Sequence, residues 1–356
     1  MPRVWAGNLG SDAYFLWGGV AGSRVVANSH GGLTPRRPAA DDRRVAIVTR
    51  DELERSLADL RTHVGDPRAG ILGPRSVAWR LGGDLGVFLG GGRAALLQLA
   101  HPMVANAIEH HSSTRTDVVG RFQRTFRHVF AMVFGELDDA LIAARRVHAI
   151  HTRVHGVIAE AIGSWPAGTR YHANDADALR WVHATLADTT IVVRERLDGA
   201  LPIAIKDQYI VELNRFAALF GIPRALLPTS WADHAAYMDA MIGSDRLAVS
   251  ASAREMGQFL FGRGAASQPP LGRIAEAVSA ALLPPRLATA FGLRAAPLLV
   301  RGGLGAFAAV YGRLPRVLVA LPAHADARNR LAGRGPSRLS AWTDRQLFSL
   351  ASRVAG

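Results

Sequence analysis

Apolar residues recur every three or four positions along most of this chain, which is the spacing of amphipathic helices. Leu53, Leu57 and Leu60 follow this spacing and predict a first helix within residues 51–64. The pattern becomes dense from residue 76 to about residue 260. The helices predicted there span residues 76–82, 85–108, 117–134, 138–162, 175–195, 203–220, 230–242 and 250–261. Three more are predicted over residues 271–281, 286–322 and 338–354.

No strand pattern and no internal repeat accompanies these helices. The sequence therefore predicts an all-α fold with an orthogonal multi-helix architecture. Residues 1–50, rich at first in glycine and proline without a period, are expected to form a loosely structured extension. The main helical domain is expected over residues 51–325, followed by a helical tail over residues 326–356.

Composition removes several kinds of site from consideration. The chain has 356 residues, of which 49% are hydrophobic, so it can bury a large core. It has no cysteine, which excludes disulfides, iron–sulfur clusters, thiolate-bound haem and cysteine-type zinc sites.

The charge is strongly basic, with a net value of +13 that comes almost entirely from arginine. Such an excess occurs in proteins that bind nucleic acids or anionic membranes. The arginines are scattered along the chain, however, and form no dense arm. This distribution favours solvated helix faces and no nucleic-acid partner.

Targeting signals are weak, and the protein is expected to be cytoplasmic. Residues 13–22 are apolar, but only Arg3 precedes them, so no signal peptide is predicted. Arginines interrupt the apolar stretches 85–100 and 298–324, so neither is expected to span a membrane. Residues 298–324 still suit a membrane surface, because their arginines border an apolar stripe.

Histidines provide the first chemical candidates. His148, His151 and His155 fall in one predicted helix, where His151 and His155 share a face. Neutral imidazole is a common ligand of haem iron and other metals. The alternative is that these are ordinary surface or core histidines. A zinc protease is not expected, because the stretch from His151 to His155 lacks the glutamate of H-E-x-x-H.

Two polar groups near this helix are further candidates. Arg121 and Arg124, with Thr125, open an amphipathic helix, and a buried arginine beside apolar residues needs an anion such as a haem propionate. A surface cluster is the alternative. The stretches Gln98-Leu-Ala-His101-Pro102 and Glu109-His110-His111-Ser112 either line a pocket or simply end their helices.

Taken in order, these pieces resemble a known family. The matching segments are Gly73-Pro-Arg-Ser-Val-Ala-Trp79-Arg80, Leu96-Leu-Gln-Leu-Ala-His101-Pro102, Glu109-His110-His111-Ser112, Gly120-Arg121-Phe-Gln-Arg124-Thr125, Phe134-Gly135, His151-Thr-Arg-Val-His-Gly156, Tyr171-His-Ala-Asn-Asp175, Trp181-Val-His183-Ala-Thr185 and Leu283-Pro-Pro285. Together they resemble the catalytic domain shared by latex-clearing proteins (rubber oxygenases) and the MpaB-type oxygenase. The resemblance covers roughly residues 66–325.

The resemblance implies a b-type haem enclosed by the helical bundle. Its proximal ligand matches His151, the first residue of the His-x-x-Val-x-Gly motif, and its arginine and threonine near the haem match Arg121 and Thr125. His155 stands where many members carry arginine and is the rival ligand. Arg124 stands where latex-clearing proteins carry a distal lysine. Because arginine stays protonated, it is a very poor iron ligand.

The activity implied is oxidative cleavage of a carbon–carbon double bond, with dioxygen, in a small apolar isoprenoid- or lipid-like substrate. Glu109 is the candidate base. Aromatic and apolar residues are expected either to wall the pocket or to belong to the core, namely Phe122, Phe126, Phe130 and Met132. His101, His110, His111 and His183 are expected to orient site groups or to serve a structural role.

Two other functions stay open at this level. One is a haem-binding protein of the same fold with peroxidase-like, sensing or no oxygenase activity. The other is a basic helical protein that binds nucleic acid or a membrane surface.

Overall fold

The computed structural model describes residues 46–111, 128–263, 268–293 and 298–335. The described chain is mostly helical, which confirms the all-α class. Its α-helices are α1 (Arg50–Thr62), α2 (Val77–Leu81), α3 (Gly91–Leu99), α4 (Pro102–His111), α5 (128–134), α6 (Leu137–His151), α7 (Ala176–Asp198), α8 (Ile203–Ala218), α9 (Trp231–Gly243), α10 (Ala251–Phe259), α11 (Pro270–Leu282), α12 (Pro285–Ala290), α13 (Leu298–Tyr311), α14 (Arg316–Val319) and α15 (Pro322–Leu331). Short 3₁₀ helices cover Pro67–Ala69, Leu85–Gly90 and Arg224–Leu226.

Local sequence explains where the first helix begins. The backbone N–H of Thr49 donates to the Glu52 carboxylate at 2.7 Å, and the N–H of Glu52 donates to the Thr49 hydroxyl at 3.3 Å. This reciprocal capping box satisfies two N–H groups that otherwise lack helical partners. The buried side of α1 consists of Leu53, Leu57 and Leu60, as predicted.

Helix α7 runs through the centre of the protein. Its side chains are buried on several faces, including Trp181 and Ile191, which are both 0% exposed. The indole N–H of Trp181 donates to the carbonyl of Leu97 in α3 at 2.9 Å. Ile191 belongs to a large core cluster that also contains residues of α1, α2, α5, α6 and α8. Trp181 belongs to a second cluster, which contains residues of α3, α4, α9, α10 and α12.

The helix predicted over residues 85–108 is three pieces. The 3₁₀ helix Leu85–Gly90 comes first, then α3 and α4, which begins at Pro102. Close packing explains Gly90 at the first junction, because a Cβ there would lie 2.3 Å from Cγ2 of Thr189. The predicted tail helix over 286–322 is likewise divided into α12, α13 and α14.

The absence of strands was predicted wrongly. His155–Val157 (β1) and Arg170–His172 (β2) form an antiparallel hairpin in which His155 pairs with His172 and Gly156 with Tyr171. The helix predicted over 138–162 therefore ends at His151. The N–H of Thr152 still bonds the carbonyl of His148, and the chain then turns so that Val154 enters a small core.

No helix in the described ranges is long and apolar enough to cross a bilayer. The predicted extension up to residue 45 and the predicted helix over 338–354 lie outside the described residues. The division into three segments stays a prediction.

Candidate functional site

Three elements meet at one end of the protein. They are the last turn of α4, the last turn of α6, and the hairpin of β1 and β2. Helix α4 packs on β2, and a small core joins them through Met103 and Ala107 of α4 with Val154, Ile158 and Tyr171. This arrangement brings the predicted residues Glu109, His110, His151 and His155 into one region.

His151 is the last residue of α6 and is buried, with 7% of its surface exposed. Burial lowers its pKa to about 3, and the neighbouring His148 lowers it further. Asn174 opposes this effect by hydrogen bonding. His151 is therefore a neutral imidazole at physiological pH, which is the form that ligates iron.

His155 does not share a helix with His151, and the prediction that the two lie on one helical face is wrong. The side chain of His155 is exposed on β1. Its ring stacks on that of His172, with centroids 5.9 Å apart and an angle of 9° between the planes. The pairing of β1 with β2 creates this neighbour, and the helical spacing of the sequence carried no sign of it.

Sequence reasoning gave no role to His172, the last residue of β2, or to Asn174, which follows the hairpin. The N–H of Asn174 donates to Nδ1 of His172 at 2.9 Å, and its side-chain amide donates to the carbonyl of His148 at 3.2 Å. Burial lowers the pKa of His172, and the neighbouring His155 and His148 lower it further. The available signal was the stretch Tyr171-His-Ala-Asn-Asp175, noted only for its resemblance.

The imidazole of His148, the third histidine of the predicted helix, forms a hydrogen bond to the backbone. Its Nε2 donates to the carbonyl of Val48 at 2.9 Å. That bond ties the last turn of α6 to the segment before α1. His148 therefore anchors the helix end that presents His151.

Tyr171 connects the hairpin to α4. Its hydroxyl lies 3.0 Å from Nδ1 of His110, within hydrogen-bond distance. Burial raises the pKa of Tyr171 to about 12, and the charge of Glu109 contributes to the rise. Glu109 is half-buried near this tyrosine, so the candidate base lies beside the hairpin that follows His151.

Gly156 explains the last position of the His-x-x-Val-x-Gly motif. A Cβ there would lie 2.5 Å from the Tyr171 hydroxyl oxygen, closer than non-bonded atoms approach. Val154 of the same motif is 0% exposed. The motif thus combines the buried histidine His151, the buried core residue Val154, and Gly156, which packs against the ring of Tyr171.

Two cavities border this region. One of about 470 Å³ lies along the hairpin and is lined by His155, Tyr171 and His172, among others. The other, of about 550 Å³, lies between α1 and α6 and includes His148 and Asn174. Both reach His172 and Ile47, so they are adjacent along the surface that borders the end of α6.

Several predicted site residues lie outside the described residues. These are Arg121, Phe122, Arg124, Thr125 and Phe126. Their roles stay predictions. Of the other two candidate pocket residues, Met132 is 1% exposed within the core, and Phe130 is half-buried, 5.8 Å from the ring of Phe88.

The remaining candidate histidines with described side chains fall into two places. His101 is 1% exposed and packs 5.2 Å from the ring of Trp165, and burial lowers its pKa to about 3. His183 is 5% exposed within α7, where burial and then His234 lower its pKa to about 4. Both lie in the interior, and their expected orienting or structural roles stay predictions.

His183 adjoins a buried ionic network around Asp188 of α7. The guanidinium of Arg93 donates to Asp188 at 2.6 Å, to the Thr189 hydroxyl at 2.7 Å and to the carbonyl of Leu282 at 2.8 Å. Burial alone would raise the pKa of Asp188, but His234 and Arg93 hold it below its ordinary value. This network joins α3, α7, α9 and α11 inside the bundle.

Among the described side chains, no group of three or more histidine, aspartate or glutamate residues is placed to hold a metal ion.

Comparison with known proteins gives one finding. Residues 79–313 match the family described as "ER-bound oxygenase mpaB/B'/Rubber oxygenase, catalytic domain". The match begins within α2, extends past the end of α13 and includes every candidate site residue. Neither a curated protein nor a solved structure matches the chain.

Proposed function

Because the chain belongs to the mpaB/rubber oxygenase catalytic-domain family, we propose that it is a haem b-dependent oxygenase. Its proposed substrate is a small apolar, unsaturated isoprenoid- or lipid-like molecule, which it cleaves at a carbon–carbon double bond with dioxygen. The observation that carries the proposal is the burial of a neutral His151 at the helix end that faces the hairpin and α4.

The donor set suits a haem iron. A neutral imidazole is a common axial ligand, and without cysteine the chain offers no thiolate for that role. The orientation of a ligating histidine depends on the groups around it. Here His148 and Asn174 hold the last turn of α6 through hydrogen bonds at 2.9 and 3.2 Å.

Each candidate residue has a role in this proposal. His151 holds the iron, while Arg121 and Arg124 pair with the haem carboxylates. Thr125 donates a hydrogen bond near the reacting atoms, and Glu109 takes a proton from the substrate. Bound haem would supply an iron centre at which dioxygen is activated.

Within this proposal, Arg124 is the residue at which the chain differs from latex-clearing proteins, which carry a distal lysine there. A guanidinium stays protonated and does not ligate iron, so a distal cap by this residue is not expected. Arg124 acts instead as a fixed positive charge that attracts a carboxylate. The protein's other task is to exclude water around an apolar substrate, which suits a pocket walled by aromatic side chains.

A visible absorption spectrum tests the haem assignment. Protein expressed with a haem precursor is expected to show a Soret band that His151→Ala loses or shifts. His155→Ala is the matched control, because it removes an exposed imidazole four residues away and is expected to keep the band. Far-ultraviolet circular dichroism verifies that each variant is folded.

The outcomes are distinct. A folded wild type without a Soret band would sink the haem assignment. A band that His155→Ala removes and His151→Ala leaves would reassign the ligand. If haem binds but no dioxygen is consumed with unsaturated lipids, the protein is a haem-binding member of the fold without oxygenase activity.

A further inference from the structure

An apolar surface lies on α13, α14 and the turn between them, away from the core-facing side of these helices. It consists of the side chains of Phe307, Val310, Leu314, Val317 and Leu318, which are 40% to 62% exposed. We call it the 307–318 face. Among the described residues, five of the thirteen large hydrophobic side chains that are exposed fall in this short stretch.

The opposite side of the same segment is already buried. Leu304, Ala308, Tyr311 and Val319 pack against a core cluster formed with α7 and α11. A helix that is apolar on all sides is generally buried on all sides, so its outer face also contacts apolar groups. Packing among the described residues therefore does not explain why these apolar side chains of α13 and α14 are exposed.

The charged residues along this part of the sequence are all basic. Between Glu276 and Asp326 the sequence has no acidic residue but has five arginines, at positions 286, 294, 301, 313 and 316. Arg313 and Arg316 lie within the face and are exposed. Arg316 forms an ion pair at 3.5 Å with the buried carboxylate of Asp84, which also accepts from the Tyr311 hydroxyl and pairs with Arg194 at 2.5 Å, while the side chain of Arg316 stays 71% exposed.

We propose that the 307–318 face docks on an anionic phospholipid bilayer, with its apolar side chains in the interface and Arg313 and Arg316 against the headgroups. Apolar area and basic residues together are what interfacial binding requires. Since α13 has 14 residues and α14 has four, both are too short to cross a bilayer, and the proposed contact of this face is peripheral. The proposal does not depend on haem or on the oxygenase activity.

Other occupants fit the charges less well. A symmetric pair of these faces would place the arginines of one copy against those of the other, which is unfavourable. A nucleic acid would satisfy the arginines but would leave the aliphatic side chains without an apolar partner. An anionic bilayer satisfies both features.

Vesicle flotation with the full chain tests the proposal. The vesicles are phosphatidylcholine alone, or equal parts of phosphatidylcholine and phosphatidylglycerol. Wild type is expected to float with the anionic vesicles and to bind neutral ones at least about fivefold more weakly. Val310→Glu/Val317→Glu is expected to weaken binding to the anionic vesicles at least about tenfold.

Two controls match these changes. Ile203→Glu/Val211→Glu places the same two charges at residues of α8 that are 59% and 51% exposed, and it is expected to bind vesicles as wild type does. Arg313→Gln is expected to weaken binding about fivefold, whereas Arg196→Gln, on the exposed side of α7, is not. A wild type that floats with neither vesicle, or a double variant that floats like wild type, overturns the proposal.

A label distinguishes the remaining occupants. Because the chain has no cysteine, Val310→Cys can carry a single environment-sensitive fluorophore, with Val211→Cys as the reference. A blue shift of the Val310 label on addition of anionic vesicles is expected. A label that is already shielded without vesicles overturns the proposal: in a monomer another part of the chain covers the face, and in a concentration-dependent dimer a second copy does.

Discussion

A Cβ atom at Gly156 would lie 2.5 Å from the hydroxyl oxygen of Tyr171 and 2.7 Å from its Cζ. The two residues pair across the hairpin, and Tyr171 in turn lies 3.0 Å from His110 at the end of α4. Through this contact, the segment that follows His151 is held against the helix that carries Glu109. The glycine is thus a packing requirement of the candidate site.

Gly156→Ala is expected to destabilise the protein by about 1–3 kcal/mol, because the added methyl group must displace the buried tyrosine ring. Urea unfolding measures the change. Gly243→Ala is the matched control, since a Cβ there meets no atom within 4 Å, and its effect is expected to be neutral or slightly stabilising. Equal effects of both substitutions would contradict the role of the Tyr171 contact.

The same variant bears on the site. If the hairpin positions His151, haem-loaded Gly156→Ala is expected to show an altered Soret band or weaker haem retention, whereas Gly243→Ala keeps both. A Gly156→Ala protein that is destabilised but spectroscopically normal would confine Tyr171 to a structural role.

Arg93 and Asp188 allow a test of what holds the interior together. Arg93→Met leaves Asp188 buried without its guanidinium partner, and breaking a buried pair in this way costs roughly 3–5 kcal/mol. Arg224→Met is the matched control, because Arg224 pairs with Asp59 on the surface, where their side chains are 76% and 46% exposed. The control is expected to cost about 1 kcal/mol or less.

Denaturant unfolding of both variants decides the matter. Similar losses of the free energy of unfolding at the two positions would mean that the buried network around Asp188 is no more important than a surface ion pair.

Helical spacing predicted the helices well where a helix buries one face or most of its surface. Helices α1, α7, α8 and α9 lie close to their predicted ranges. Their signal is local, because side chains three and four residues apart fall on one side of a helix. The order of the family motifs also predicted the family, which is confirmed over residues 79–313, whereas the site roles of His151 and Glu109 stay predictions.

The hairpin was missed because its cause is not local. Nothing between His151 and His155 is a glycine or a proline, and the spacing of the two histidines also suits a helix. The helix ends there because Val154 enters a core with Met103 and Tyr171, which are distant in sequence. The stacked pair His155–His172 depends on the same long-range pairing, so no helical period reports it.

The buried histidine of α7 predicts how stability depends on pH. Burial, and then His234, lower the pKa of His183 to about 4, whereas in the unfolded chain it is near 6.5. Below pH 6.5 the unfolded state binds a proton that the folded state does not. Stability from this group is therefore complete above pH 6.5 and falls by up to about 1.4 kcal/mol per pH unit as pH falls toward 4.

His234 and Asn214 both neighbour the imidazole of His183, and Asp188, which lies 3.7 Å from the ring of His234, pairs with Arg93. Urea unfolding at several pH values between 7.5 and 4.5 measures the slope. His183→Gln is expected to reduce the slope of the free energy of unfolding against pH by at most about 1.4 kcal/mol per pH unit, the contribution of one proton. This expectation holds whatever the substitution does to overall stability. His63→Gln, at a side chain that is 55% exposed, is expected to leave it unchanged, and an unaltered slope in His183→Gln would refute the assignment.

Glu109 provides the test of the proposed chemistry that is separate from haem binding. Glu109→Gln keeps the size of the side chain but removes its ability to accept a proton. If Glu109 is the base, dioxygen consumption with the substrate is expected to fall about 10²- to 10⁴-fold, with an unchanged Soret band and unchanged unfolding. Glu160→Gln, at an exposed residue beyond β1, is the matched control and is expected to retain full activity. A Glu109→Gln protein that turns over normally excludes Glu109 as the base while leaving the role of His151 intact. Loss of the Soret band in that variant would instead make Glu109 part of the structure that holds the haem.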